Sequence, residues 1–139
     1  MKKMILIAFA LSITYLTKAK EDITGIWLTE EGNSKVEISQ NEEDYTGKIA
    51  WMVKSTDKNG NTIKDRKNPN KELRDRPILG LAILQNIELQ NGKGYGQIYS
   101  PKKGLTLDCE VVLVNPDELQ INVTYRGFTR QKTWTRTSL

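Results

Sequence analysis

Histidine is missing from this chain, and cysteine occurs once, as Cys109. Without histidine there is no serine or cysteine triad built on imidazole, no His-based zinc site and no general base with an ordinary pKa near neutrality. Chemistry here would fall to carboxylates, lysine, tyrosine or the one thiol. A single cysteine excludes an internal disulfide. Its setting in LTLDCEVVLV reads as a buried, inert thiol. A serine elbow, a phosphate-binding loop and metal-ligand spacing are lacking as well. NGKGYGQ, with Gly92, Gly94 and Gly96, has no helix after it to supply amides and reads as a hairpin turn. No cofactor and no metal are implied.

Excess charge is also lacking once the N-terminus is set aside. MKKMILIAFALSITYLTKAKED places two lysines before an apolar run from Met4 to Leu16 and ends in the small-x-small triplet Thr17-Lys18-Ala19. That is the pattern of a signal peptide, residues 1–19, cleaved after Ala19. The run is shorter than the roughly 20 residues of a spanning helix, so no transmembrane segment is expected after cleavage. The implied location is periplasmic or secreted. The whole chain has twenty-one basic and seventeen acidic side chains; losing Lys2, Lys3 and Lys18 leaves eighteen against seventeen. A near-neutral remainder gives no electrostatic reason to expect nucleic acid or an anionic membrane as partner. Residues 20–139 are enough for one small domain with a single core.

Period-two alternation dominates the chain beyond the leader. Val36 and Ile38 alternate with polar residues in SKVEISQ, and Leu119, Ile121, Val123 and Tyr125 do so in ELQINVTYR. In LTLDCEVVL, Leu105, Leu107, Cys109, Val111 and Leu113 share one face, with Thr106, Asp108 and Glu110 on the other. TGIWLTE, DYTGKIAWMVKS, GYGQIYS and RQKTWTRT add further strands. Turns fall at residues 31–33, 40–41, 91–92, 101–104 and 115–117. Such spacing predicts an all-β fold, an antiparallel meander of about eight to ten strands closed into a barrel so that no edge is left unpaired. A short helix could fit at 71–76 or 78–84, on either side of Pro77.

One long segment, STDKNGNTIKDRKNPNKELRDR at residues 55–76, breaks the alternation. Loops of this length in small domains are often functional. Asp65 and Asn68-Pro69 suit a turn held by side-chain hydrogen bonds. If extended, the segment would point Arg74 and Arg76 the same way, either to clamp a carboxylate or phosphate or to tie the loop to Asp65. Two carboxylate pairs invite comparison with hydrolases: Asp65 with Glu72 in the loop, and Asp108 with Glu110 on one strand face. Without a flanking signature, a solvated face is the simpler reading.

The ordered set Gly25-Ile26-Trp27, Ser34-Lys35-Val36-Glu37-Ile38, Gly47-Lys48-Ile49-Ala50-Trp51, Asp65, Lys67-Asn68-Pro69, Leu73-Arg74, Arg76-Pro77, Leu79-Gly80, Ile98-Tyr99, Pro101, Gly104 and Thr133-Trp134-Thr135-Arg136 resembles a bacterial family catalogued as domain of unknown function 2147. The resemblance implies an exported protein with a lipocalin-like barrel. It also implies a structural closure in which Arg136, in the last strand, packs across Trp27 of the first. The function to expect is binding of a small apolar or amphipathic ligand with an acidic head group. Candidate ligand residues are Trp51, Asp65, Asn68, Arg74, Arg76, Tyr99 and Trp134, the aromatics otherwise filling the core. Two other readings stand beside it: a cell-envelope protein-interaction module with a filled barrel, and a carboxylate-based hydrolase.

Overall fold

A computed structural model describes residues 22–139; the signal peptide read in residues 1–19 lies outside the described residues. Eight antiparallel strands follow one another: β1 (Gly25–Leu28), β2 (Ser34–Gln40), β3 (Tyr45–Met52), β4 (Ala82–Gln90), β5 (Lys93–Ser100), β6 (Leu105–Asn115), β7 (Glu118–Tyr125) and β8 (Phe128–Thr137). Each pairs with the next, and β8 returns to β1 through Ile26↔Thr137, Trp27↔Arg136 and Leu28↔Thr135. The expected closed meander is therefore present, with no edge exposed. Among the described residues no helix is long and apolar enough to cross a membrane.

The helix expected near 71–76 is a single 3₁₀ turn, Lys71–Leu73. No helix forms at 78–84: Ile83 and Leu84 enter β4, whose ladder to β5 slips between Gln85 and Glu88. Asn86 in that slip has φ 54°. A second slip, where Leu84 faces Gly47 but Ala82 faces Lys48, leaves both Ile83 and Leu84 buried, and so the apolar run lacks the alternation of a strand.

Alternate turns of a meander lie at opposite ends of the barrel. One end carries the short turns β2–β3, β4–β5 and β6–β7 together with the incoming chain at Asp22. The other carries residues 29–33, the long loop 53–81 and the turns at 101–104 and 126–127. We call these the closed end and the mouth. Trp27, Val36, Leu84, Ile87, Val111, Leu119 and Ile121 are almost wholly buried and belong to one continuous core. Eight strands leave an interior just wide enough for side chains to fill or for one small ligand.

The closed end is capped by the first and last strands. The Arg136 guanidinium lies 4.3 Å from the Trp27 ring centroid and donates to the carbonyls of Thr24 (2.8 Å), Asp22 (2.9 Å) and Pro116 (2.6 Å). The indole of Trp27 donates to the Ile23 carbonyl at 2.8 Å. Gly25 explains the first letter of Gly-Ile-Trp: a Cβ there would sit 2.6 Å from the Arg136 Nη1. The glycine leaves room for the guanidinium.

Candidate functional site

The long loop is fixed by a buried carboxylate. Asp65 has no solvent exposure. Its Oδ1 accepts from the Tyr99 hydroxyl (2.6 Å), and its Oδ2 from the Asn68 amide (2.9 Å) and the Arg76 Nη2 (3.3 Å). Three donors offset much of the cost of taking a charge out of water. Asn68 Oδ1 accepts from the Asn70 N–H and Asn70 Oδ1 from the Glu72 N–H, which starts the 3₁₀ turn. Arg74 donates through Nε to the Asn68 carbonyl at 2.7 Å. Both arginines thus turn back on their own loop. The segment is a tight turn instead of an extended strand, so the parity argument for a paired guanidinium clamp does not apply to it.

Burial pushes the Tyr99 phenol up to about 12, and the Asp65 hydrogen bond and charge add to the rise. Burial likewise pushes the Cys109 thiol up to about 12. The folded chain holds both protons more tightly than an unfolded one, where cysteine titrates near 9 and tyrosine near 10. Their contribution to stability is complete below about pH 9 and is lost as pH rises toward about 12. Thermal midpoints measured across this range should fall steeply for the wild type. Tyr99→Phe, less stable at neutral pH, should lose less between about pH 10 and 12; parallel curves would dismiss Tyr99 as a cause.

At the mouth, a pocket of about 360 Å³ lies beneath the loop, lined by Ser34, Ile49, Met52, Lys64, Arg66, Lys67, Ile78, Pro101 and Lys102. Its surface is mainly apolar, the stems of Lys64, Arg66, Lys67 and Lys102 included, and no acidic residue lines it; Arg66, Lys67 and Lys102 are exposed, so their charges stand at its rim. Lys64, Arg66 and Lys67 flank Asp65 in sequence, so the turn that draws the carboxylate inward leaves its neighbours along the pocket. Lys67 also donates to the Lys102 carbonyl at 3.0 Å, joining the loop to the turn at 101–104. The Lys64–Asp75 pair at 3.9 Å is largely solvated and contributes little.

None of the seven residues singled out from sequence lines this pocket. Asp65, Asn68, Arg74 and Arg76 hold the loop, and Tyr99 anchors it to β5. Trp134 is buried opposite Leu119 near the closed end. Trp51 stands on the outer wall, 38% exposed, with the Lys35 ammonium 5.1 Å from its ring centroid. Simple alternation from Tyr45, Gly47 and Ile49 would turn it inward. The β2–β3 register slips instead: Val36 faces Ile49, but Lys35 faces Trp51. One extra residue reverses the side, so Met52, paired with Ser34, reaches the pocket in its place. The basic residues along the pocket, Lys64, Arg66, Lys67 and Lys102, are not among those seven, although their density in KDRK and PKKG is a signal present in the sequence.

Asp108 and Glu110 lie on the outer face of β6, beside a polar depression of about 410 Å³ shared with Tyr95, Asn122 and Thr124. Glu110 accepts from the Asn122 amide at 3.3 Å. Glu72 is exposed on the 3₁₀ turn, whereas Asp65 is enclosed by its donors.

Residues 25–136 match the family model described as "Uncharacterized protein conserved in bacteria (DUF2147)". Among solved structures, the chain is similar to protein HP1028 from the human pathogen Helicobacter pylori, described as belonging to the lipocalin family. The two share 24% identity and a TM-score of 0.70, over 84% of each chain. At that identity the likeness concerns the fold, here a lipocalin-like barrel. No curated protein matches.

Proposed function

We propose, on the premise that the chain belongs to the DUF2147 family and has a lipocalin-like fold, that it binds a small amphipathic molecule with an acidic head group at the barrel mouth. The observation that carries this reading is the pocket of about 360 Å³ with a mainly apolar surface, four basic residues and no acidic one along it. Its volume is at the lower end of the range for ligand sites. At the packing of water it admits roughly a dozen non-hydrogen atoms, the size of a medium-chain carboxylate. The chain of such a ligand would lie on Ile49, Met52 and Ile78. Its head group would meet Arg66 or Lys102 first, with Lys64 and Lys67 joining on leaving Asp75 and the Lys102 carbonyl, since Arg74 and Arg76 are engaged in holding the loop. The leader read in residues 1–19 supports export, with the ligand met outside the cytoplasm.

Calorimetric titration with decanoate tests this reading. Decanoate should bind, decanol should bind more weakly, and Lys67→Glu combined with Lys102→Glu should weaken decanoate by about tenfold or more, roughly 1.4 kcal/mol. Tryptophan emission is a poor reporter, because no tryptophan lines the pocket. Equal affinity for acid and alcohol, or an unaffected double variant, would overturn the proposal. Mass spectrometry of material released on denaturing protein from its host would then name the ligand.

A further inference from the structure

Over residues 22–139 the basic and acidic side chains nearly balance, and that balance conceals a strong separation of charge along the barrel axis. At the mouth, Lys64, Arg66 and Lys67 of the long loop stand with Lys102 and Lys103 of the turn at 101–104 and Arg126 of the β7–β8 turn. The acids of that end, Glu30 and Glu31 of the turn at 29–33 and Asp57, Asp65, Glu72 and Asp75 of the loop, are six against eleven cations across these turns, and Glu31 is paired with Lys132. At the closed end the turns carry Glu42, Glu43, Asp44 and Asp117, with Asp22 and Glu118 beside them, against the two cations Lys93 and Arg136. Such a molecule has a positive pole, and a negatively charged surface would orient it mouth first.

The same positive pole carries a protruding aromatic. Phe128 is 80% exposed at the start of β8 and pairs across the hairpin with Tyr125, itself 43% exposed. The connecting residues are Arg126 and Gly127, both at positive φ. The Arg126 guanidinium lies 5.1 Å from the Tyr125 ring centroid, and Arg130 follows two residues after Phe128. The Thr124 and Thr129 hydroxyls, 3.2 Å apart, brace the ladder beneath. Because Asp108 pairs with Thr124, this tip stands beside the start of β6 and the turn bearing Lys102 and Lys103. An exposed ring among cations is the composition that seats in the headgroup region of a bilayer.

We propose that the mouth of the barrel docks on an anionic phospholipid membrane, with Phe128 and Tyr125 in the interface and Arg126, Arg130, Lys102 and Lys103 against the head groups. An acidic protein would satisfy the cations, but it would give a single projecting phenylalanine no evident seat; an acyl-chain boundary receives it without a preformed pocket. Docking in this orientation faces the pocket toward the lipid. The proposal does not depend on that pocket being occupied.

Co-sedimentation of the leader-free chain with vesicles tests it. Vesicles containing about a third phosphatidylglycerol should carry the protein down, phosphatidylcholine alone should not, and the difference should fall steeply with added salt. Phe128→Ser, at an exposed position whose change should leave the circular dichroism spectrum intact, should reduce binding severalfold. Arg126→Glu with Arg130→Glu should reduce it at least about tenfold, and Glu42→Lys with Glu43→Lys at the closed end should not reduce it. No binding to the anionic vesicles would overturn the proposal, including the case in which the protein self-associates pole to pole. Binding to both vesicle types alike, or a Phe128→Ser variant that binds as well as wild type, would overturn it too. Since no ligand is added, failure here leaves decanoate binding untouched, and the converse also holds.

Discussion

Asp65→Ala is expected to lower stability by roughly 3 kcal/mol and the thermal midpoint by about 10 °C or more. The substitution leaves the Tyr99 hydroxyl, the Asn68 amide and the Arg76 guanidinium without the acceptor they share. Breaking a buried ion pair from one side costs about 3–5 kcal/mol. The lower end applies because Arg76 is partly exposed and can turn to water. Asp65→Asn keeps the volume but removes the charge, so it should fall between the two. Since the carboxylate joins the loop to β5, Asp65→Ala should also open residues 53–81 to protease well below the melting temperature. Calorimetry and timed proteolysis would measure both effects; a midpoint within about 2 °C of wild type would show that the loop is held by something else.

Arg136→Ala should cost roughly 2–4 kcal/mol. It removes a cation over the Trp27 face, a contact of about 0.5–2 kcal/mol, and three hydrogen bonds from a charged donor to backbone carbonyls. Charged hydrogen bonds contribute about 1.5–3 kcal/mol each when well shielded, and less here, where the bonds to Asp22 and Pro116 are exposed. Arg136→Lys should restore little, because one ammonium cannot reach three carbonyls in the plane of a fork. Gly25→Ala should reproduce part of the loss by pushing the guanidinium from its place. Decanoate affinity should change little, since this closure lies at the end away from the pocket. Urea unfolding beside calorimetric titration separates the two readouts. A stable Arg136→Ala variant would remove the closure from the account of the fold.

Which parts of this molecule could be read from its letters depends on how locally each is determined. β2, β6 and β7 show their alternation openly because their core faces are uninterrupted. Trp27 and Arg136 were identifiable because a motif at each chain end had a known spatial partner. The side of Trp51 was not, because a one-residue slip between β2 and β3 is a property of the pairing and leaves no mark in either strand alone. The β7–β8 turn is poorly marked in the sequence for a related reason: Arg126 takes φ 50°, a conformation for which asparagine or glycine is the usual sign. Arg74 and Arg76 were seen as a cluster, but their partners depended on whether the chain was extended or coiled there. The pocket wall and the charge poles are sums over distant turns, so only the closed meander shows which cations meet.

The pairing of β1 with β8 also sets an order of events. On their free side Ile26, Trp27 and Leu28 find partners only at Thr137, Arg136 and Thr135, so the seam waits for β8, the last of the eight strands. Every other strand can pair with a neighbour already made, and contacts between residues this far apart in sequence form slowly. Until β8 arrives, β1 and β2 can form only an open-sided sheet, and Arg136 is absent from the Trp27 face. A chain cut before Arg136 keeps only Thr135 of the three seam partners and lacks the guanidinium that covers Trp27, so the circle is left without its fastening.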